Sequence, residues 1–347
     1  MSVSSTSELT QSSTSPAMGF ERLIAIDTLR GVAVLGILVM NIYAFAMPFV
    51  AYQNPLALGG NEWYNVGTWF LTHVFFDQKF MTIFSLLFGA GSVMMATRAD
   101  VRGEKYGGLW YRRCFWLMII GALHGYFIWF GDILFHYGLM GMFIFLFRNR
   151  SARSLIITGC SLLLVGVLFT VSGGPCMEDL KSRSAEIEQL QDAGQALTPE
   201  QTATLKEWEG IALLLKPAAE RVREDMAAYT AGYSKNFEQR ILIVQMMQTQ
   251  ATVAFVIWRV GGLMLIGMAL MKLGIISGER PNSFYRKLMF IGYGLGLPIM
   301  LASAYGMNSH QWDEFWMFGL GGFPNYIGSI LVAFGHIALV MTIVKNS

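Results

Sequence analysis

The sequence predicts an all-α fold, a polytopic integral membrane helical bundle of about eight transmembrane spans with an extramembrane helical hairpin at 175–240. Three observations carry this. Of 347 residues 54% are hydrophobic, only 14% are charged, and the mean hydropathy is +0.46; soluble domains have about a quarter of their residues charged. Apolar runs near the length needed to cross a bilayer, about 20 residues, recur along the chain. Between 175 and 240 the composition turns polar, with 12 of the 23 acidic residues and 8 basic ones.

In chain order, residues 1–20 are Ser/Thr-rich and read as a disordered tail. Arg22, the apolar run from Gly31 and the small residues at 44–46 also fit a signal peptide. The long tail ahead of them favours a retained first helix. Spans are expected at 24–47, 76–96, 115–130, 133–147, 155–171, 252–271, 288–304 and 326–344. The third and fourth are short, joined by "FGD" at 130–132, and suit a shallow hairpin. Trp63, Tyr64 and Trp69 suit an interfacial anchor before the second span. The domains expected are the tail (1–20), a first membrane bundle (21–174), an extracytoplasmic insert (175–240) and a final membrane segment (241–347). Within the insert, Gly194 is a helix-stop signal, and Thr198, Pro199 and Gln201 form a helix start of the capping-box kind.

Orientation follows from charge. Fourteen Lys and Arg residues flank the spans on one side, from Arg22 to Lys345, and the short loops at 49–65, 130–132 and 305–325 contain none. That asymmetry puts the N-terminus in the cytoplasm. A formal charge of +2 and the lack of basic runs exclude a nucleic-acid partner. The three cysteines, Cys114, Cys160 and Cys176, show no metal-ligand spacing. No HxxxH or HExxH occurs either, so no metal site is expected.

Polar residues inside the spans carry the functional reading, because each costs about 2.5–3.5 kcal/mol at the bilayer centre when charged. Asp27, Arg30 and Asn41 fall on one stripe of the first helix, within about 40° over about 21 Å. Either they face a common interior cavity, or Asp27 and Arg30 are a snorkelling i,i+3 pair at the interface. His73 and Asp77 lie at i,i+4, where a carboxylate can orient an imidazole for general-base work. His124, Asp132 and His136 cluster about the hairpin turn. Arg259 lies about seven residues into the sixth span. Gly89 and Gly91 suit close helix packing. Catalytic candidates are therefore His73, Asp77, His124, Asp132 and Asn41; candidates for holding a donor are Asp27, Arg30 and Arg259.

The blocks "IDTLRGVAVLGILVMNI" (26–42), "DQKFMTIFSLLFGAG" (77–91) and "HGYFIWFGDILFHYGLMG" (124–141) resemble the YeiB-like bacterial membrane proteins, the domain-of-unknown-function family 418. More remotely, the first block is similar to the opening helix of heparan-alpha-glucosaminide N-acetyltransferase and other transmembrane acyltransferases. That resemblance covers Asp27, Arg30, Gly31 and Asn41. It implies an acyltransferase that takes an acyl group from cytoplasmic acyl-CoA to a small-molecule, sugar-like acceptor at the outer face. The acetyltransferase's histidine shortly after the position of Asn41 has no counterpart in 42–54, so His73 or His124 would replace it. YeiB-like chains continue past a helix like 326–344, and the expectation is a chain truncated at Ser347. The alternative function is a small-molecule or anion transporter using the same residues as a relay. A third is a non-catalytic membrane scaffold. A homo-oligomer in the lipid bilayer is compatible with each.

Overall fold

A computed structural model describes residues 16–47, 52, 54–56, 62–212 and 218–346, and no strand occurs among them. The helices are α1 (Pro16–Ala46), α2 (Trp63–Phe75), α3 (Lys79–Val101), α4 (Gly107–Phe127), α5 (Leu134–Ile144), α6 (Ala152–Asp192) and α7 (Pro199–Ala212). They continue with α8 (Ala218–Thr230), α9 (Tyr233–Gln248), α10 (Gly261–Lys272), α11 (Asn282–Ser309), α12 (Glu314–Met317) and α13 (Gly322–Asn346). The expected tail lies mostly outside the described residues.

Six stretches are long and apolar enough to cross a membrane: Ile24–Phe45, Trp63–Val101, Ala152–Asp192, Thr252–Lys272, Asn282–Ser309 and Gly322–Asn346. The other two expected spans, 115–130 and 133–147, form the α4–α5 hairpin. Helix α5 has 11 residues, about 16 Å, well short of a bilayer core of about 30 Å. Helix α4 carries Arg112 and Arg113 in its first two turns. Both features explain why these two of the eight expected spans are not among the stretches long and apolar enough to cross a membrane.

The centre of the bundle is α10. Residues Gly261–Leu270 are all buried, as expected for a helix apolar on every side. It packs against α3 and α6 through small residues. A Cβ at Gly89 would land on the Met264 carbonyl, and one at Gly159 on the Gly262 carbonyl. Such close backbone approach is how membrane helices gain contact when lipid is as apolar as leucine. Around this axis, Leu29, Ile83, Leu86, Leu263 and Ile337 knit α1, α3, α10 and α13 into one core.

The basic residues gather at one end. Lys272 Nζ donates to the carbonyls of Arg148 and Arg150 at 2.6 and 2.7 Å, and Lys345 Nζ to those of Gly278 and Arg280 at 2.8 and 2.7 Å. We call this the basic end and the opposite one the far end.

No break falls at 174/175. Helix α6 runs unbroken through Pro175 for 41 residues, about 60 Å, so one helix forms both the fifth span and the first arm of the insert. It stops just before Ala193, and Gly194 turns the chain with φ +77°. The capping box opening α7 is present: Thr198 N donates to Gln201 Oε1 at 2.9 Å and Gln201 N to Thr198 Oγ1 at 3.2 Å. Helix α9 then returns over the hairpin, with Tyr233 Oη donating to the Phe127 carbonyl at 2.8 Å.

Candidate functional site

The second span is broken. Helix α2 ends at Phe75, residues 76–78 turn, and α3 begins at Lys79, with Gln78 held at φ +62°. A left-handed non-glycine residue is uncommon and marks a place where surrounding structure overrides local preference. Backbone of this kind is tolerated at membrane depth only where protein buries it or a cavity borders it. Both conditions hold.

On the protein side lies a buried polar cluster drawn from five elements. His73 Nδ1 is 3.2 Å from Asp77 Oδ2, and His73 Nε2 is 3.1 Å from Ser303 Oγ on α11. The imidazole stacks on Trp69, ring centroids 4.7 Å apart. Asn325 on α13 donates to Asp77 Oδ2 at 2.7 Å. Lys79, with 0% of its surface exposed, donates to the His73 carbonyl at 2.5 Å. This bond ties α3 across the break to the last turn of α2.

Arg259 lies in a π-helical stretch, Thr252–Val260, ahead of α10. Such i→i+5 windings are rare and re-aim side chains. The guanidinium is fully buried and donates to the Tyr326 carbonyl at 2.7 Å, Ser329 Oγ at 2.8 Å and Thr82 Oγ1 at 3.3 Å. It also lies 4.5 Å from the centroid of the Tyr326 ring. Through its two terminal nitrogens it joins the π-helical stretch to α3 and α13, while its Nε has no hydrogen-bond partner; it borders neither cavity described below.

On the open side, a cavity of about 210 Å³ is bordered by Asn41 and Met40 of α1, Asp77 and Phe80 at the break, Trp129 of the hairpin turn and Met247 of α9. Asp77 is the charged side chain that reaches it, with 16% of its side chain exposed. His73 and Ser303 stand behind it. Ser303, His73 and Asp77 follow the order of a Ser–His–Asp triad, but Ser303 is fully buried and does not border this cavity. The chemistry this geometry allows therefore starts at the Asp77 carboxylate, with His73 and Asn325 orienting it.

A second cavity of about 220 Å³ lies toward the basic end, bordered by Arg30 of α1, by Phe84, Leu87, Gly91 and Met95 of α3 and by Arg113 of α4. Helices α1 and α3 pack together, and both cavities open on their interface. Along α1, Arg30 precedes Asn41; along α3, Phe84 follows Phe80. The two cavities thus lie end to end, with Phe80 and Phe84, one turn apart, between them. Phe80 fills this space because Gly36 faces it: a Cβ there would strike the Phe80 ring.

The expected stripe is divided. Asp27 is 65% exposed and pairs with Arg30, itself 41% exposed, at 2.7 Å. Asp27 borders neither of the two cavities, so the shared interior for all three residues does not form. Arg30's flexible stem lets its head meet Asp27 at i+3 while the side chain still borders the basic-end cavity. Asn41 borders the far one. His124 and Asp132 meet at 2.9 Å, and Asp132 Oδ1 accepts from Phe135 N at 3.0 Å. That pair buttresses the hairpin tip, whose Trp129 and Gly131 border the far cavity. His136 is separate, its Nε2 bonded to the Met247 carbonyl at 3.0 Å.

Sequence reasoning missed Lys79, Ser303, Asn325 and Ser329. Lys79 had a legible signal, a lysine at the head of an apolar run. Buried Ser and Asn residues carry no periodicity that would separate them from ordinary helix-packing residues.

These features define a class: a multi-pass helical membrane protein with a polar cluster built around a broken span. The chain belongs to the YeiB-like family, DUF418. It is 31% identical over 326 residues to the uncharacterized protein YeiB of Escherichia coli K12, covering 92% of this chain and 74% of YeiB. The uncharacterized protein YxaH of Bacillus subtilis 168 is 35% identical over 162 residues, 44% of this chain and 39% of YxaH. The family model described as a protein of unknown function, DUF418, matches residues 270–347. No solved structure matches.

Proposed function

We propose that this protein is an integral-membrane acyltransferase that draws an acyl group from a cytoplasmic acyl-CoA and delivers it to a small, sugar-like acceptor at the outer face. The observation that carries this reading is the pair of cavities set end to end between α1 and α3. The basic-end cavity is bordered by two arginines, Arg30 and Arg113, whose charge suits the phosphates of the donor once Arg30 exchanges Asp27 for them. The far cavity presents Asn41 and Asp77 together. The first-helix resemblance to transmembrane acyltransferases agrees with this placement of Arg30 and Asn41. The Lys/Arg asymmetry supports a cytoplasmic basic end in a bacterial inner membrane.

The reaction attributed to these groups is direct transfer. The acceptor hydroxyl or amine attacks the thioester carbonyl, a C–O or C–N bond forms and the C–S bond breaks. Asp77, oriented by His73 and Asn325, takes the acceptor's proton. Asn41 Nδ2 donates to the oxygen that becomes negative in the tetrahedral intermediate. The proton then leaves with the departing CoA thiolate, which restores the carboxylate.

Isothermal titration with acetyl-CoA and longer acyl-CoAs, followed by a thiol-release assay, tests the proposal. Binding that weakens at least tenfold in Arg30→Ala and Arg113→Ala supports it. Lack of binding and of thiol release in the folded protein and in a full-length relative overturns it. A second reading, a small-anion transporter, is favoured by the broken span beside the buried Lys79 and Arg259, since discontinuous helices form transporter sites. Uptake into proteoliposomes without thiol release would identify it.

A further inference from the structure

Taking the acyl-transfer reading as its basis, we infer that the far cavity is an acyl-chain pocket, which selects donors of about four to eight carbons and disfavours both acetyl and long fatty acyl groups. The walls carry the argument. Ile37, Met40, Ala44, Phe80, Met81 and Met247 line most of the space with carbon, and its polar side chains are confined to Asn41, Asp77, Gln78, Tyr52 and the Trp129 indole. A hydroxyl-rich acceptor buried there would leave most of its own polar groups unpartnered, at a cost for each. An alkyl chain loses nothing and gains the burial of each methylene.

Placement points to the donor rather than the acceptor. The cavity lies beyond the one bordered by Arg30 and Arg113, so a donor lying along α1 that displaces the Phe80 ring between them would bring its thioester to Asn41 and Asp77 with its chain beyond them. Size sets the limit. An apolar cavity of about 150 Å³ holds benzene, six heavy atoms; by proportion 210 Å³ holds about eight. Methionines at three wall positions adapt to chains of unequal length within that volume.

The test is titration of the full chain in nanodiscs with free CoA and with acetyl-, hexanoyl- and palmitoyl-CoA. Hexanoyl-CoA should bind about tenfold to a hundredfold more tightly than acetyl-CoA, and palmitoyl-CoA more weakly than hexanoyl-CoA. Ala44→Leu, which adds carbon inside the pocket, should lower the hexanoyl-to-acetyl affinity ratio about tenfold. Met40→Ala, which removes wall atoms, should move the optimum to a longer chain. A flat chain-length series in a protein that binds acetyl-CoA overturns the inference while leaving acyl transfer standing. So does a hexanoyl preference unchanged in both variants. Failure of CoA and all three thioesters to bind removes the acyl-transfer reading itself, and the chain pocket with it.

Discussion

His73 Nδ1 and Asp77 Oδ2 stand 3.2 Å apart across the break that divides the second span. His73 lies in the last turn of one helix, Asp77 sits in the turn before the next, and of the two only the carboxylate reaches the cavity. Burial behind protein and access from the cavity are thus divided between two residues of one pair.

That division predicts unequal effects on turnover. Asp77→Asn, which keeps the volume and removes the proton acceptor, should lower thiol release by about 10²–10⁴-fold. Ser303→Ala should cost less than tenfold, because its hydroxyl touches His73 and does not border the far cavity. His124→Ala should also have the smaller effect, since His124 supports the hairpin tip. Equal losses in Asp77→Asn and Ser303→Ala would point instead to a serine nucleophile.

Arg259 is a structural tie by its contacts, and its fork shape is what the site uses. Arg259→Lys keeps a charge but cannot reach the Tyr326 carbonyl, Ser329 and Thr82 together. The expected loss is roughly 2–4 kcal/mol, from the bonds given up by a buried charged donor. Unfolding in detergent against urea or temperature measures it. A variant as stable as the parent would show that the three bonds contribute nothing.

Two glycines, one packed against α10 and one on the open face of α1, give predictions of opposite sign. Gly89→Val must push α3 off the Met264 carbonyl and should destabilise by about 1–3 kcal/mol or more. Gly31→Ala, with nothing within 4 Å of the new Cβ, should stabilise by roughly 0.5–1 kcal/mol, as alanine does in a helix interior. Denaturation curves of the two variants decide both.

Topology is testable by cysteine labelling in intact cells with the three native cysteines replaced. Ser182→Cys, on an exposed position of α6, should react with an impermeant reagent if the insert lies outside. Ser184→Cys would stay protected on either side, because Ser184 is only 1% exposed. Protection of Ser182→Cys would reverse the orientation.

Much of the fold was legible. Apolar length located four of the six spanning stretches to within about six residues at each end, while the second expected span begins earlier, at Trp63, and the fifth runs on to Asp192; the capping box at Thr198 and the stop at Gly194 are where their residue types require. The α4–α5 hairpin was visible as two runs too short for the bilayer. The His73–Asp77 and His124–Asp132 pairs follow from helical spacing and from a tight turn, both local rules. The break at 76–78 was not legible, since "FFDQKF" contains neither Gly nor Pro to signal it.

The sequence by itself determined the helical class, the number of apolar runs, the side to which basic residues sort and the local polar pairs. Each depends on composition or on neighbours within about a turn, where backbone geometry leaves few alternatives. Tertiary structure alone decided that Asp27 faces outward while Arg30 and Asn41 border separate cavities. It also decided that Lys79 and Arg259 are fully buried, and that Ser303 and Asn325 complete the cluster behind Asp77. Those outcomes depend on which helices meet, and residues more than two hundred positions apart are brought together by packing that no local pattern encodes.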